Sequence, residues 1–527
     1  MANFLGKNKV LLFLLIIIAV ASFFRLWQLS SIPPGLYPDE AINGNEAISN
    51  PGKLFYPENN GREGLFINLI ALSFSIFGVS IFSLKIVPAI IGILTVLGLY
   101  LLTKELFTQC DEARPRHIAL LASFFLAISF WHTNFSRIGF RAILLPFILV
   151  FSFYFLFRGF GTKKIRDFIF SGLIFGLGFY TYISFRMAVL ILPFILILYW
   201  FIYKKDGLQK KFILHASYFI LLVFIVALPI GIYFLQNPYD FIGRAAPISV
   251  FAAENPIKEF AKSLISHLGM FNFRGDSNWR HNFSGSPELF WPVGILFLIG
   301  LFYSFYKLVK SIVLGSSKVF LVFGFLISWW LTMLLPGVLT YEGIPHALRT
   351  IGVIPVVYIF AGLGFFKIYQ WFDKNTKRKR LLFTAISLFL LMTGVVEFDK
   401  YFNKWGKHPE VRNAFSADYV EIGNFLNSLS AETQKYVIVN QPGVPVPWPD
   451  GIPIPAQTIM FIENAKFGQP QSTYLLPENL NQIKINNREV IIVPMRYNES
   501  LFAKIQQKFP KGEIQEKDGT WIYRVNF

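Results

Sequence analysis

Cysteine is nearly missing from this chain: Cys110 is the only one, so neither an intramolecular disulfide nor a cysteine-based metal cage can form. Charge is scarce as well. Only 15% of the 527 residues are Asp, Glu, Lys or Arg, against about 25% in soluble domains. The acidic side is the poorer one, with 31 carboxylates against 49 Lys and Arg. No P-loop, GxGxxG fingerprint or HExxH motif occurs, and no internal repeat, which removes the sequence grounds for a nucleotide-binding domain or a zinc protease. The net charge of +18 does not signal nucleic acid, because the cations lie between apolar segments rather than on one basic face.

What the chain has is hydrophobic length, with 54% apolar residues. Candidate spans run over roughly 10–28, 83–103, 118–135, 138–157, 168–184, 187–203, 212–235, 290–306, 319–336, 350–371 and 381–397, about eleven helices in all. Each is near the length that crosses ~30 Å of hydrocarbon. The first follows Lys7 and Lys9 like a signal peptide, but no small-residue cleavage site comes after it. Phe23, Phe24, Leu26 and Trp27 extend it to spanning length, which predicts an uncleaved first helix.

Short connections alternate in charge. Lys104, Arg114, Arg116, Arg158, Lys163, Lys164, Lys204, Lys205, Lys307, Lys310 and the run Lys377–Arg380 fall on one side. The other side holds only Arg137, Arg141, Arg186 and Arg349 in its short loops. The positive-inside rule makes the first set cytoplasmic together with the N-terminus, and the expected location is the cell membrane. Gly64–Phe77 is then an interfacial helix rather than a crossing, within an outer loop at about 29–82, and a second outer loop covers about 237–289. In that second loop Pro256–His267 reads as an amphipathic helix.

The prediction is an all-α polytopic membrane domain over 1–397 and a small α/β extracytoplasmic domain over 398–527. In the latter Tyr436–Asn440, Thr458–Ile462, Val490–Pro494 and Thr520–Val525 read as strands and Leu501–Phe509 as a helix. Pro442–Pro455 reads as an irregular proline-rich loop.

Carboxylates being rare, Tyr37-Pro38-Asp39-Glu40 stands out directly after the first span. Pro38 suits the first turn of a helix, where the dipole favours Asp39 and Glu40. Asp39, Asn43 and Glu46 would then share one face at i, i+4 and i+7. Such a cluster serves as general base, metal ligand or helix cap. Arg137, Arg141, Arg186 and Arg349 each border a helix end on the carboxylate's side, so they either snorkel to headgroups or form an anion site. The polar run Gly275–Asn282, with Asp276, Arg280, His281 and Asn282, is a solvated loop or a substrate-facing one. Tyr182 and His346 lie beside Arg186 and Arg349 in sequence.

These motifs resemble the GT-C-fold glycosyltransferases, above all glycosyltransferase family 39 and the related aminoarabinose transferases. Pro38-Asp39-Glu40-Ala41 is similar to the Asp-Glu motif of the family's first outer loop, whose Asp is taken as the catalytic base. Arg62 matches a basic residue that contacts donor phosphate in the aminoarabinose branch, although Glu63-Gly64 stands where the family has Pro-Pro. Ser136-Arg137, the Gly275–Asn282 run and His346–Pro355 resemble further outer-loop motifs.

The resemblance implies transfer of a sugar from a polyprenyl-phosphate donor to an acceptor hydroxyl outside the cytoplasm, among membrane lipids and with an unidentified acceptor. Asp39 and Glu40 would be catalytic. Arg62, Arg137, Arg141, Arg186 and Arg349 would hold the donor phosphate, and Asn43, Glu46, Tyr182, Asp276, Arg280, His281, Asn282 and His346 would face substrate. No cofactor is required by the sequence, and a divalent metal stays open. An en bloc oligosaccharide transferase or polymer ligase using a lipid-diphosphate donor is the nearest rival, but the Trp-Trp-Asp signature of oligosaccharyltransferases is missing. A lipid or solute transporter would call for intramembrane charge and related halves, and the sequence offers neither.

Overall fold

The computed structural model describes residues 7–110, 112–243, 246–447, 451–485, 488–517 and 519–525. Two compact units divide the chain. The first takes in the chain up to Trp27, Pro88–Arg137 and Arg141–Trp405, and the second Gln28–Val87, Ile138–Phe140 and the chain from Gly406 onward.

Among the described residues nine helices are long and apolar enough to cross a membrane. They are Asn8–Leu26, Ile81–Gln109, Arg141–Thr162, Ile183–Lys205, Gln209–Gln236, Trp291–Val313, Ser317–Val338, Ile351–Asn375 and Lys379–Trp405. Two expected spans take another form. Over 118–135 the helix Pro115–Ile128 stops at Ser129, whose backbone is extended and whose hydroxyl accepts from the His132 N–H at 3.1 Å, starting a new helix Phe130–Phe135. A serine cap interrupts an apolar run without changing its hydropathy. Over 168–184 the helix Ile165–Leu177 tightens into a 3₁₀ turn at Gly178–Tyr180. A Cβ on Gly178 would collide with the Phe185 ring.

The first unit packs helices closely through small residues, as membrane bundles do. A Cβ on Gly300 would run into the carbonyl oxygen of Phe360, and one on Gly364 into that of Leu296, so Trp291–Val313 and Ile354–Asn375 meet backbone to backbone. Charge does lie inside a span, against the expectation of none. Arg25 is fully buried in the last turn of the first helix, donating to the carbonyls of Ala21 (3.1 Å) and Ala127 (2.8 Å), with His132 Nδ1 at 2.7 Å.

In the second unit the C-terminal part forms a five-stranded sheet. Its strands are β1 (Gln434–Ile438), β2 (Thr473–Leu475), β3 (Val490–Pro494), β4 (Gly512–Lys517) and β5 (Thr520–Val525), in the order β2-β1-β3-β5-β4. β1 runs parallel to β2 and β3, while β5 is antiparallel to β3 and β4. Alternation along the strands sends side chains to two faces. Val437, Ile491, Val493 and Ile522 pack with Ile422, Leu426, Ile459 and Met460 of the helices Ala417–Ser428 and Gln457–Phe467. Tyr436, Ile438, Ile492 and Tyr523 pack with Leu501, Phe502 and Ile505 of the helix Glu499–Lys508.

The strand expected at Thr458–Ile462 is therefore a helix. Its β-branched residues argued for extension, but Gly468 at φ 75° closes a helix C-terminus there, and Ile459 and Met460 lie against the sheet. β2 and β4 were not foreseen, being short or too polar to alternate.

Replacing Ile459, which is wholly buried, by Ala should cost about 2–5 kcal/mol, the range for a truncated core aliphatic. Thermal unfolding of the detergent-solubilised protein, read by tryptophan fluorescence, measures the loss.

Candidate active site

Pro38 opens a helix at Pro38–Ser49, after an extended Tyr37, as the sequence predicts. The helix is almost entirely buried within the second unit. Asn45 donates to the carbonyl and side-chain oxygens of Gln457 (3.0 and 2.9 Å) and accepts from Asn464 at 2.8 Å, tying it to the helix Gln457–Phe467. Two neighbouring carboxylates end in different surroundings.

Glu40 has no exposed surface, and its oxygens accept from the backbone N–H groups of Tyr37 (3.3 Å) and Gly139 (2.5 Å). Burial pushes its carboxyl above the usual range, opposed by the charge of Lys85. Lys85 in turn donates to the carbonyls of Pro33 and Gly35, both at 3.1 Å. Asp39 is only half-buried and accepts from Asn59 Nδ2 at 2.9 Å.

One turn further, Asn43 and Glu46 are bridged by Arg62. Its guanidinium donates to Asn43 Oδ1 at 2.8 Å and Glu46 Oε1 at 2.6 Å, and the Asn43 amide donates to the Gly139 carbonyl at 3.0 Å. Arg62 and Glu46 are each 2% exposed. Burial raises the Glu46 carboxyl against the pull of Arg62. Asp39, Asn43 and Glu46 do share the face expected of them, and Glu40 and Asn43 both reach Gly139.

In the first unit the polar run Gly275–Asn282 folds around Asp276. One oxygen of Asp276 accepts from Asn278 N at 2.8 Å. The other accepts from Ala347 N and contacts His281 Nδ1, both at 2.9 Å, with His346 Nδ1 3.8 Å away. Beneath it, the Asp276 N–H donates to the buried Glu288 at 2.9 Å, a carboxyl pushed well up by burial and then by Asp276. His267 completes the group. Its Nδ1 faces the Ser263 carbonyl at 2.8 Å and its Nε2 receives the His346 N–H at 3.2 Å, a pattern that requires the neutral ring. Burial holds His267 at about 4, and His346 well below the usual range. Asn278 Oδ1 accepts from Arg280 N at 3.0 Å, the Arg280 carbonyl accepts from Asn134 Nδ2 at 2.7 Å, and Asn282 donates to the Ser286 carbonyl at 2.6 Å.

The remaining arginines of this unit differ. Arg137 is fully buried, donates to the carbonyls of Phe24 (3.0 Å) and Trp27 (2.7 Å), and lies over the rings of Tyr401 and Phe402. Arg141 lies over Tyr182, and Arg186 over Phe241 with a donor on the Phe241 carbonyl. Arg349 donates to Thr340 Oγ1 at 2.8 Å and the Glu342 carbonyl at 2.6 Å.

The Asp276, His281 and His346 side chains offer ligand atoms within 4.8 Å of one another. One carboxylate oxygen with two imidazole nitrogens suits zinc or another first-row divalent ion.

Over 99% of its length and 99% of the other's, the chain superposes on ArnT from Cupriavidus metallidurans, solved bound to undecaprenyl phosphate, with a TM-score of 0.57 at 11% identity. This is a GT-C fold. Residues 65–233 match the family described as dolichyl-phosphate-mannose-protein mannosyltransferase, and the GT-C chain resembles glycosyltransferase family 39. It is a multi-pass membrane protein.

Other GT-C structures are similar. The apo oligosaccharyltransferase of Archaeoglobus fulgidus has a TM-score of 0.51 at 16% identity, over 87% of this chain and 64% of that one. The same organism's AglB, in complex with an inhibitory peptide and a dolichol-phosphate, has 0.50 at 14%, over 98% and 74%. No curated protein matches in sequence.

Sequence reasoning missed Lys85, Asn59, Gly139, His267 and Glu288. Lys85 alone carried a signal, a lone cation in the apolar run Ile81–Val87.

Two outcomes follow. Arg62→Met leaves Glu46 buried without its partner and should cost about 3–5 kcal/mol, most of it recovered in Arg62→Met/Glu46→Gln. A double-mutant cycle of thermal unfolding checks this. His267 binds its proton less readily folded than unfolded, so its contribution is full above about pH 6.5 and lost as pH falls toward 4. The melting temperature should drop across that window, and His267→Gln should flatten the drop.

Proposed function

We propose that this protein is an inverting glycosyltransferase that moves a hexosyl or pentosyl unit from a polyprenyl-phosphate donor to an acceptor hydroxyl, on the extracytoplasmic side of the membrane. The observation that carries the reading is the contrast within the Pro38–Ser49 helix: Glu40 is sealed in, while Asp39 keeps accessible surface. The likeness to ArnT solved with undecaprenyl phosphate and the family match over 65–233 support the donor class.

In a single displacement the acceptor oxygen attacks the anomeric carbon as its proton passes to the Asp39 carboxylate. The bond from that carbon to the phosphate oxygen breaks, and the electron pair leaves with the polyprenyl phosphate. A phosphate monoester has a second pKa near ~6, so no enzymic acid is needed at the leaving oxygen. It needs positive charge. Arg141, Arg186 and Arg349 are assigned to hold it, while Arg137 is engaged by the carbonyls of Phe24 and Trp27.

Arg62 orders Asn43 and Glu46, and Glu40 orients Asp39 by securing the first turn. If a divalent ion binds, Asp276, His281 and His346 would hold it, and it would supply Lewis-acid charge to a phosphate oxygen.

Asp39→Asn should lower turnover with a polyprenyl-phosphate sugar by about 10²–10⁴-fold with unchanged thermal stability. Near-normal turnover would remove Asp39 as base. Activity confined to a lipid-diphosphate oligosaccharide would favour en bloc transfer instead.

A further inference from the structure

Separately from these residues, the first unit carries a groove of about 300 Å³ lined by the helices Lys7–Leu26, Pro115–Ile128, Ile354–Asn375 and Lys379–Phe398. Its wall is almost wholly apolar, with Ile17, Phe124, Phe365 and Phe383 among the lining side chains. Its polar residues are His117, Tyr369, Asp373 and Lys379, at the ends of three of the helices, so the groove has an apolar length and a polar mouth.

At that mouth the charges do not balance. Arg114 lies 3.9 Å from Asp373 and 3.3 Å from the Tyr369 hydroxyl, and Lys379 lies 2.9 Å from the same Asp373 carboxylate. Two cations on one carboxylate leave a net positive charge. His117 adds two ring nitrogens that are shielded from solvent and have no hydrogen-bond partner. A buried polar group without a partner is costly, so a ligand that brings acceptors to the mouth would satisfy it. The segment 374–380, where the helices Ile354–Asn375 and Lys379–Phe398 meet, carries Lys374, Lys377, Arg378, Lys379 and Arg380 and no acidic residue.

We propose that this groove is a binding site for one anionic phospholipid, its acyl chain along Phe124, Phe365 and Phe383 and its phosphate at Arg114, His117 and Lys379. Basic pockets between membrane helices favour such headgroups, and a concave apolar cavity of this size suits a chain better than a flat surface does. The assignment stands apart from the transfer reaction, since none of these residues belongs to the proposed catalytic set.

The full-length protein in nanodiscs of phosphatidylcholine and phosphatidylglycerol, released into mild detergent and weighed by native mass spectrometry, tests it. One phosphatidylglycerol should be retained in preference to phosphatidylcholine. Lys379→Gln should weaken that retention about tenfold, as loss of one charge-assisted contact would. Leu121→Trp, which fills the groove, should abolish it. Should that variant not fold, Ile386→Phe serves the same purpose farther from the mouth. Equal retention of both lipids, or phosphatidylglycerol retention that survives both the mouth and the groove variants, would overturn the site and leave only annular lipid.

Discussion

A carboxylate with no exposed surface governs the helix Pro38–Ser49. Glu40 accepts from the N–H of Tyr37 on its own strand of chain and from the N–H of Gly139, about a hundred residues away. Taking a carboxyl out of water is unfavourable unless donors replace the solvent. Those two N–H groups and the charge of Lys85 fix where the first turn begins, and so where Asp39 sits. Removing the buried neighbour would cost the half-buried one its place. The helix dipole acts on both residues alike; the surroundings make one structural and leave the other accessible.

The cluster around Asp276 follows the same logic with histidines. A neutral ring can both donate and accept, so His267 links the Ser263 carbonyl to the His346 N–H, and protonation would break the second contact by setting donor against donor. Asp276 gathers Asn278, His281 and Ala347 from two stretches of loop separated by about seventy residues. Irregular backbone that is buried needs such internal partners, because neither a regular ladder nor bulk solvent satisfies it. An arrangement that orders the loop and a set of atoms that suits a divalent ion are here the same atoms.

Arginine shows how far residue type alone reaches. Five were expected to bind donor phosphate. Arg62 is engaged by Glu46 and Asn43, and Arg137 by two carbonyls and two aromatic rings. Arg141, Arg186 and Arg349 are less enclosed. A guanidinium's five donors serve a buried carbonyl as readily as a phosphate, and only the surrounding chain tells which is on offer.

Hydropathy and charge alternation determined the membrane class, most of the spans and the short helix Leu65–Phe77, proline with acidic first-turn residues the helix beginning at Pro38, and strand patterning three strands of the sheet. These depend on local periodicity and on residues a few positions apart, which a linear sequence displays directly. The tertiary structure decided what periodicity cannot register. Ser129 breaks an apolar run by capping, and Gln457–Phe467 is helical because Ile459 and Met460 pack on a sheet. Which acidic side chain is sealed and which is left wet depends on Gly139, Asn59 and Lys85. Those partners are distant in the chain, and hydrogen bonds between distant segments leave no pattern in composition or spacing.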